Sequence, residues 1–334
     1  MFRATVEIGG KELIIETGRL AKQANGSALV RYGDTVVLAT ACAQTKPREN
    51  ADFLPLTVDY REYTYAAGKF PGGFHKREGR PSEKEILTSR QIDRPIRPLF
   101  PEGYFHETQV IALVFSADGV NDPDILSITG ASTALYLSDI PFVTPVGAVR
   151  MGYVDGQLVV NPTTDMMDRT LLNLVVVASE EAIVMVEAGA KEVSEELLLE
   201  ALRIAHQEIK KLVGLQKQLY AQKNPVKWTI PPIELPADLS AEIREKCAAK
   251  ILDALYAPGK LNSERRMKAV KEEFLTAIPE EETEKRRHAG MIFERLKEEL
   301  FRTELLEKRT RPDKRSTEQI RPIDIEVGLM PRTH

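Results

Sequence analysis

Between Lys69 and Tyr104 the chain sets Lys69, Lys76, Arg77, Arg80, Lys84, Arg90, Arg94 and Arg97 against Glu78, Glu83, Glu85, Asp93 and Glu102, eight positive residues to five negative. The local sign is therefore opposite to the global one, since 46 Lys and Arg against 50 Asp and Glu give the whole chain a formal charge of −4. A chain of that charge does not coat nucleic acid by bulk electrostatics, but a local basic site remains open to it. Gly68, Gly72 and Gly73 precede Phe74-His75-Lys76-Arg77, so an aromatic and basic tip rides on permissive backbone. Aromatic rings stack on unpaired bases while Lys and Arg meet phosphates, a pairing that suits single-stranded nucleic acid. Pro81 and Ser82 then open a helix to about Arg97, on which Arg90, Arg94 and Arg97 fall at i, i+4 and i+7. Pro95 and Pro98 kink or end it, which leaves the shared face firmest for Arg90 and Arg94. Pairing of these arginines with carboxylates inside the fold is the equal alternative.

Two further groups could do chemistry. Gly130-Ala131-Ser132-Thr133 reads as a helix opening whose N–H groups and hydroxyls could hold an anion, with a plain helix start as the alternative. Asp165 and Asp168 precede a strand and read as a Mg²⁺ pair or as an acidic turn. Cys42 and Cys247 form no Cys-x-x-Cys and are expected as core thiols, and the histidines at 75, 106, 206, 288 and 334 are too scattered for a ligand cluster.

The elements that must position these residues are legible from periodicity. Thr5–Ile8 and Leu13–Glu16 flank Gly9-Gly10, and Ala28–Arg31 and Thr35–Thr40 flank Tyr32-Gly33-Asp34, predicting two hairpins. Further strands are expected at Leu56–Arg61, Gln109–Phe115, Gly147–Met151, Leu172–Ala178 and Ile183–Val186. Helices are expected from Asp124 to about Ser138 and from Ser194 to Val213. This is an α+β core over residues 1–213. Prolines 225, 231, 232 and 236 around Trp228 mark 214–237 as a connector. Residues 238–310 carry 16 basic and 16 acidic residues in 73 positions with two glycines, the composition of an all-α domain laced by surface ion pairs. No apolar run reaches the length of a membrane-spanning helix and the N-terminus lacks a signal-peptide pattern, so the expectation is a cytoplasmic protein without a membrane partner. Ile325-Glu326-Val327-Gly328 echoes Ile15-Glu16-Thr17-Gly18 at an offset of 310, with three identities in eight positions, as if a second copy of the first core began there.

Glu78-Gly79-Arg80-Pro81-Ser82-Glu83-Lys84-Glu85-Ile86-Leu87 with Ile92-Asp93-Arg94-Pro95-Ile96-Arg97-Pro98-Leu99-Phe100-Pro101-Glu102-Gly103 resembles the first core domain of bacterial polynucleotide phosphorylases. Leu56–Tyr60, Thr64–Gly68 and Gly130-Ala131-Ser132 resemble it too, and the likeness runs the length of the chain. The resemblance implies a ribonuclease PH-like core of mixed sheets and helices (ribosomal protein S5 domain 2-like), a helical domain, and at 311–334 a linker and first strand of a truncated second core. It further implies phosphate-dependent 3′–5′ degradation of RNA to nucleoside diphosphates in a homotrimeric ring, with Mg²⁺ and the catalytic groups in the second core. On that reading this portion holds no catalytic residue and no metal. Phe74, His75, Lys76, Arg77, Arg80, Arg90, Arg94 and Arg97 would contact RNA, and Ser132, Thr133 and Asp165 would be a vestigial phosphate site. Three departures from the family pattern accompany it. Leu171 stands six after Asp165 where a second aspartate is usual, His75 stands where a second Phe is usual, and Lys314 interrupts Arg-x-Asp-Gly-Arg. A free-standing, non-catalytic RNA-binding or assembly module is the alternative, and an enzyme for a small phosphorylated ligand ranks last because no phosphate-binding glycine loop is present.

Overall fold

The computed structural model describes residues 1–48, 51 and 53–332, and the chain divides into two compact units, Met1–Pro232 and Ile233–His334. In the first unit, strands β1 (Phe2–Ile8) and β2 (Lys11–Thr17) meet at Gly9 and Gly10, both at positive φ as a tight hairpin turn requires. With β3 (Gly26–Tyr32), β4 (Thr35–Pro47), β5 (Leu56–Arg61) and β6 (His106–Ser116) they form a sheet ordered β1-β2-β3-β4-β6-β5. Its pairings are antiparallel except β5 with β6. A second, antiparallel sheet is ordered β10-β9-β7-β8, from β7 (Gly147–Val154), β8 (Gln157–Val160), β9 (Leu172–Ala178) and β10 (Ile183–Ala190).

Helices join the layers. Helix α1 (Glu83–Ile96) packs on β5, and α2 (Pro123–Tyr136) packs on β3, β4 and β7. Every residue of α2 is buried, the mark of a central helix rather than an amphipathic surface one. Close approach is set by Gly26, where a Cβ would stand 2.0 Å from the carbonyl oxygen of Ala134. After the short α3 (Thr164–Met167), the long α4 (Glu195–Lys223) packs on β1 of one sheet and on β7 and β9 of the other.

The second unit is a bundle of α5 (Ala237–Leu255), α6 (Lys260–Thr276) and α7 (Thr283–Lys308) around Ile243, Cys247, Ile251, Ile278, Ile292, Phe293 and Leu296. Ion pairs such as Arg244–Glu299, Lys250–Glu273 and Lys271–Glu294 lace its surface.

Several expectations need correction. The helix from Ser194 does not stop at Val213: Leu215, Gln216 and Leu219 stay buried, so the apolar face continues past Gly214 and the irregular segment begins at Asn224. Gly130–Thr133 does not open a helix, because Asp122 is the N-cap and Pro123 the first residue of α2. Cys42 is exposed, on the solvent side of β4, whereas Cys247 is buried as expected. The strand expected near Ile325 is absent: described residues 317–332 are irregular, with Ile323, Ile325, Val327 and Leu329 exposed. Thr333 and His334 lie outside the described residues.

Candidate nucleic-acid interface

Strand β5 runs into a single 3₁₀ turn, Thr64–Ala67, closed by Gly68 at φ 67, whose N–H reaches the carbonyls of Thr64 and Tyr65. From Lys69 the chain leaves the sheet as a loop that returns at Glu78. Two of its rings stand almost fully in solvent, Phe70 at 90% and Phe74 at 93% exposure, and Phe74 meets His75 edge-on at 5.4 Å between centroids. Burying a phenylalanine stabilises a fold by roughly 1.5–3 kcal/mol, a contribution these two rings do not make within this fold. Lys76 sits at φ 47, and it, Arg77 and Arg80 are exposed with no ion pair among the described residues. The tip therefore offers flat rings and unneutralised cations side by side.

Behind the loop, Ser82 caps α1 in a reciprocal box: its hydroxyl accepts from Glu85 N, and Glu85 accepts from Ser82 N. Glu85 also accepts from Glu62 N; burial works against its charge, but these hydrogen bonds outweigh it and hold its carboxyl below the usual range. Arg90 and Arg94 lie one turn apart, exposed, and without an ion pair among the described residues. Lys84 is different. Its ammonium contacts Glu62 at 2.9 Å and Asp122 at 3.1 Å; burial pulls its pKa down, but those carboxylates prevail and raise it.

Arg97, expected as an RNA contact, is engaged within the fold. Its guanidinium grips Asp93 with two nitrogens (3.0 and 2.7 Å) and donates to the carbonyls of Leu54 and Leu56, each at 3.0 Å. Pro95 lies in the last turn of α1, and Arg97 keeps helical backbone angles at its end, so it is the side chain that reaches the entry of β5.

The expected phosphate site is not assembled. Ser132 is fully buried, donating to Gln216 Oε1 at 3.0 Å and accepting from Val146 N at 2.8 Å. Thr133 is also fully buried and donates to the carbonyl of Thr129. Both hydroxyls thus fasten α2 to its neighbours and itself. Asp165 lies in the first turn of α3, exposed, where the Thr163 hydroxyl holds its carboxyl below the ordinary range. Leu171, six residues on, is itself exposed. Among the described residues no three of His, Cys, Asp and Glu gather at one place. No described helix is long and apolar enough to cross a membrane. Lys314 stands at φ 67 between Asp313 and Arg315, in the conformation glycine favours.

The sequence missed Phe70 and the two ends of the loop. Phe70 was discoverable, since a ring flanked by Lys69 and Pro71-Gly72-Gly73 has no periodic partner to pack with. Thr64, whose N–H and hydroxyl both reach Glu78, gave no sequence signal because the pair is 14 residues apart.

Residues 9–141 match the model of the 3′ exoribonuclease family, domain 1, and 144–208 that of its domain 2. Residues 238–316 match that of the polyribonucleotide nucleotidyltransferase RNA binding domain. The polyribonucleotide nucleotidyltransferase of Koribacter versatilis is 54% identical over 99% of this chain, which covers 41% of that protein. Those of Acidobacterium capsulatum and Geobacillus kaustophilus are 52% and 48% identical, with 42% and 46% of their lengths covered. The chain thus spans less than half the length of these relatives. The crystal structure of rice (Oryza sativa) Rrp46 superposes with a TM-score of 0.51 at 16% identity, over 62% of this chain and 93% of that one, a likeness of fold. With a ribonuclease PH-like core followed by the helical domain that carries the third match, the chain belongs to the polyribonucleotide nucleotidyltransferase family.

Proposed function

We propose that this chain is the part of a phosphate-dependent 3′–5′ exoribonuclease that guides single-stranded RNA and scaffolds a homotrimeric cytoplasmic ring. One observation carries the reading: Phe70 and Phe74 stand in solvent beside Lys76, Arg77 and Arg80, which have no ion pair among the described residues. Rings take bases and cations take phosphates, without regard to sequence. Arg90 and Arg94 extend the same positive surface along α1. In the reaction, an oxygen of inorganic phosphate bonds to the phosphorus of the 3′-terminal phosphodiester. The bond from that phosphorus to the upstream O3′ breaks, a proton passes to O3′, and a nucleoside diphosphate departs. Such a transfer needs cations and usually Mg²⁺ around the moving group. That apparatus is assigned to a second core, because here Ser132 and Thr133 are taken up in packing. The same fact favours, as the second reading, a module that binds RNA with no chemistry of its own.

Two measurements test this. Phe74→Ala with His75→Ala is expected to weaken binding of single-stranded RNA by about 1–3 kcal/mol per lost stack while leaving its salt dependence nearly unchanged. Lys76→Ala with Arg77→Ala is expected to flatten that dependence. RNA affinity unchanged in both variants at every salt concentration refutes the interface. Incubated with RNA, phosphate and Mg²⁺, these 334 residues are expected to release no nucleoside diphosphate; robust release would place the chemistry in this core.

A further inference from the structure

Glu78 follows Arg77 and precedes Arg80 by two residues, yet it pairs with neither among the described residues. Its Oε1 instead accepts twice from Thr64, from the backbone N at 2.8 Å and from the hydroxyl at 2.7 Å. The carbonyl of Thr64 accepts in turn from Lys69 N at 3.1 Å. A single residue therefore closes both ends of the loop from Lys69 to Glu78. The 3₁₀ turn bearing Thr64 is itself fixed, because Ala117 N, just past β6, donates to the carbonyl of Ala66 at 2.9 Å. Between the closed ends, the exposed Phe74, His75, Lys76 and Arg77 have no hydrogen bond to the rest of the fold among the described residues. The tip's direction is thus set at its base.

We propose that Thr64 and Glu78 are positioning residues that aim the aromatic and basic tip at single-stranded RNA by stapling the loop to the end of β5. This rests on the RNA-guiding reading of the loop. A loop ordered before binding loses less freedom when the strand arrives, so the staple tightens binding without touching RNA. The sign of one substitution separates this from plain electrostatics. A carboxylate beside a phosphodiester strand repels it, so if Glu78 were a surface acid, its removal would tighten binding. If it is a staple, removal loosens binding despite the lost repulsion.

The test measures affinity for a single-stranded oligoadenylate, together with melting temperature, for Glu78→Ala, Glu78→Gln and Thr64→Val in the full 334-residue chain. Glu78→Ala is expected to weaken binding about fivefold with an unchanged salt slope. Glu78→Gln keeps an acceptor oxygen and should restore affinity to within about twofold, and Thr64→Val should fall between them. Binding by Glu78→Ala as tight as the parent's, or tighter, overturns the staple. Equal loss in the Gln and Ala variants also overturns it, since charge rather than geometry would then matter. Lys76→Ala with Arg77→Ala is the control for the underlying reading. If that pair leaves affinity intact, the RNA interface and the staple fall together; if it weakens binding while Glu78→Ala does not, the staple alone falls.

Discussion

Replacing Arg97 by alanine should damage the fold rather than the interface. The guanidinium makes four contacts, two to Asp93 and one each to the Leu54 and Leu56 carbonyls. Its side chain is 41% exposed and that of Asp93 26%, so solvent screens the ion pair and limits it to about 1 kcal/mol. The two carbonyl bonds add about 0.5–1 kcal/mol each, at the lower end for Leu54, whose oxygen keeps a bond from Leu56 N. The sum is about 2 kcal/mol. For a unit of this size it lowers the melting temperature by roughly 4–8 °C. Arg97→Lys keeps the charge but not the planar fork and should recover less than half of that loss. Arg94→Ala is the counterpart: exposed and without an ion pair among the described residues, it should change stability by less than about 0.5 kcal/mol while weakening RNA binding. Thermal melts read beside RNA titrations at matched salt decide the matter. An Arg97→Ala protein that melts with the parent but loses as much RNA affinity as Arg94→Ala would refute this assignment.

Asp118 accepts from the backbone N–H groups of Val120 and Asn121 and from the Asn121 side chain; burial raises its pKa, but these bonds prevail and hold it at about 2. Because the folded value lies below the unfolded one, its stabilisation is complete above about pH 4 and disappears as pH falls through about 2. Melting curves of the parent should lose that part of their acid sensitivity in Asp118→Asn, and identical acid profiles would count against the turn. Gly26→Ala brings a methyl to 2.0 Å from the Ala134 carbonyl oxygen and 2.9 Å from Ser138 Cβ, and backbone cannot swing aside. A loss above about 3 kcal/mol of unfolding free energy is expected, read as a lower denaturant midpoint, and a midpoint equal to the parent's would show that β3 and α2 are not held so closely.

Alternation and turn glycines make the strands legible, because a half-buried strand shows each face in every second residue: Leu13 and Ile15 are buried and Glu12 and Ile14 are not. Ser194 announces α4 by its cap. What escapes has physical reasons. The four-residue elements β8 and α3 are too short to show a period. The helix expected from Asp124 is present as α2 from Pro123, and only the small residues at 130–133 mislead, by imitating a second opening inside it. On α1, spacing places three arginines on one face and leaves carboxylate pairing inside the fold as the equal alternative; Asp93, four residues before Arg97, takes that one of the three. Sequence distance hides the loop staple likewise, since Thr64 and Glu78 become neighbours through the loop itself.

Helix α4 lies against β1 of one sheet and β7 and β9 of the other, and within it the buried Gln216 bonds to Ser132 and to the carbonyl of Val146. Neither sheet can separate from the centre without first shedding that helix. Opening of the first unit should therefore be cooperative, and the amides around Ile209 to Leu219 should exchange with deuterium at a single slow rate shared with β7 and β9, while those of the loop tip near Phe74 exchange at once. The frame thus opens as one body, while the amides between the two stapled ends of the loop exchange without waiting for it.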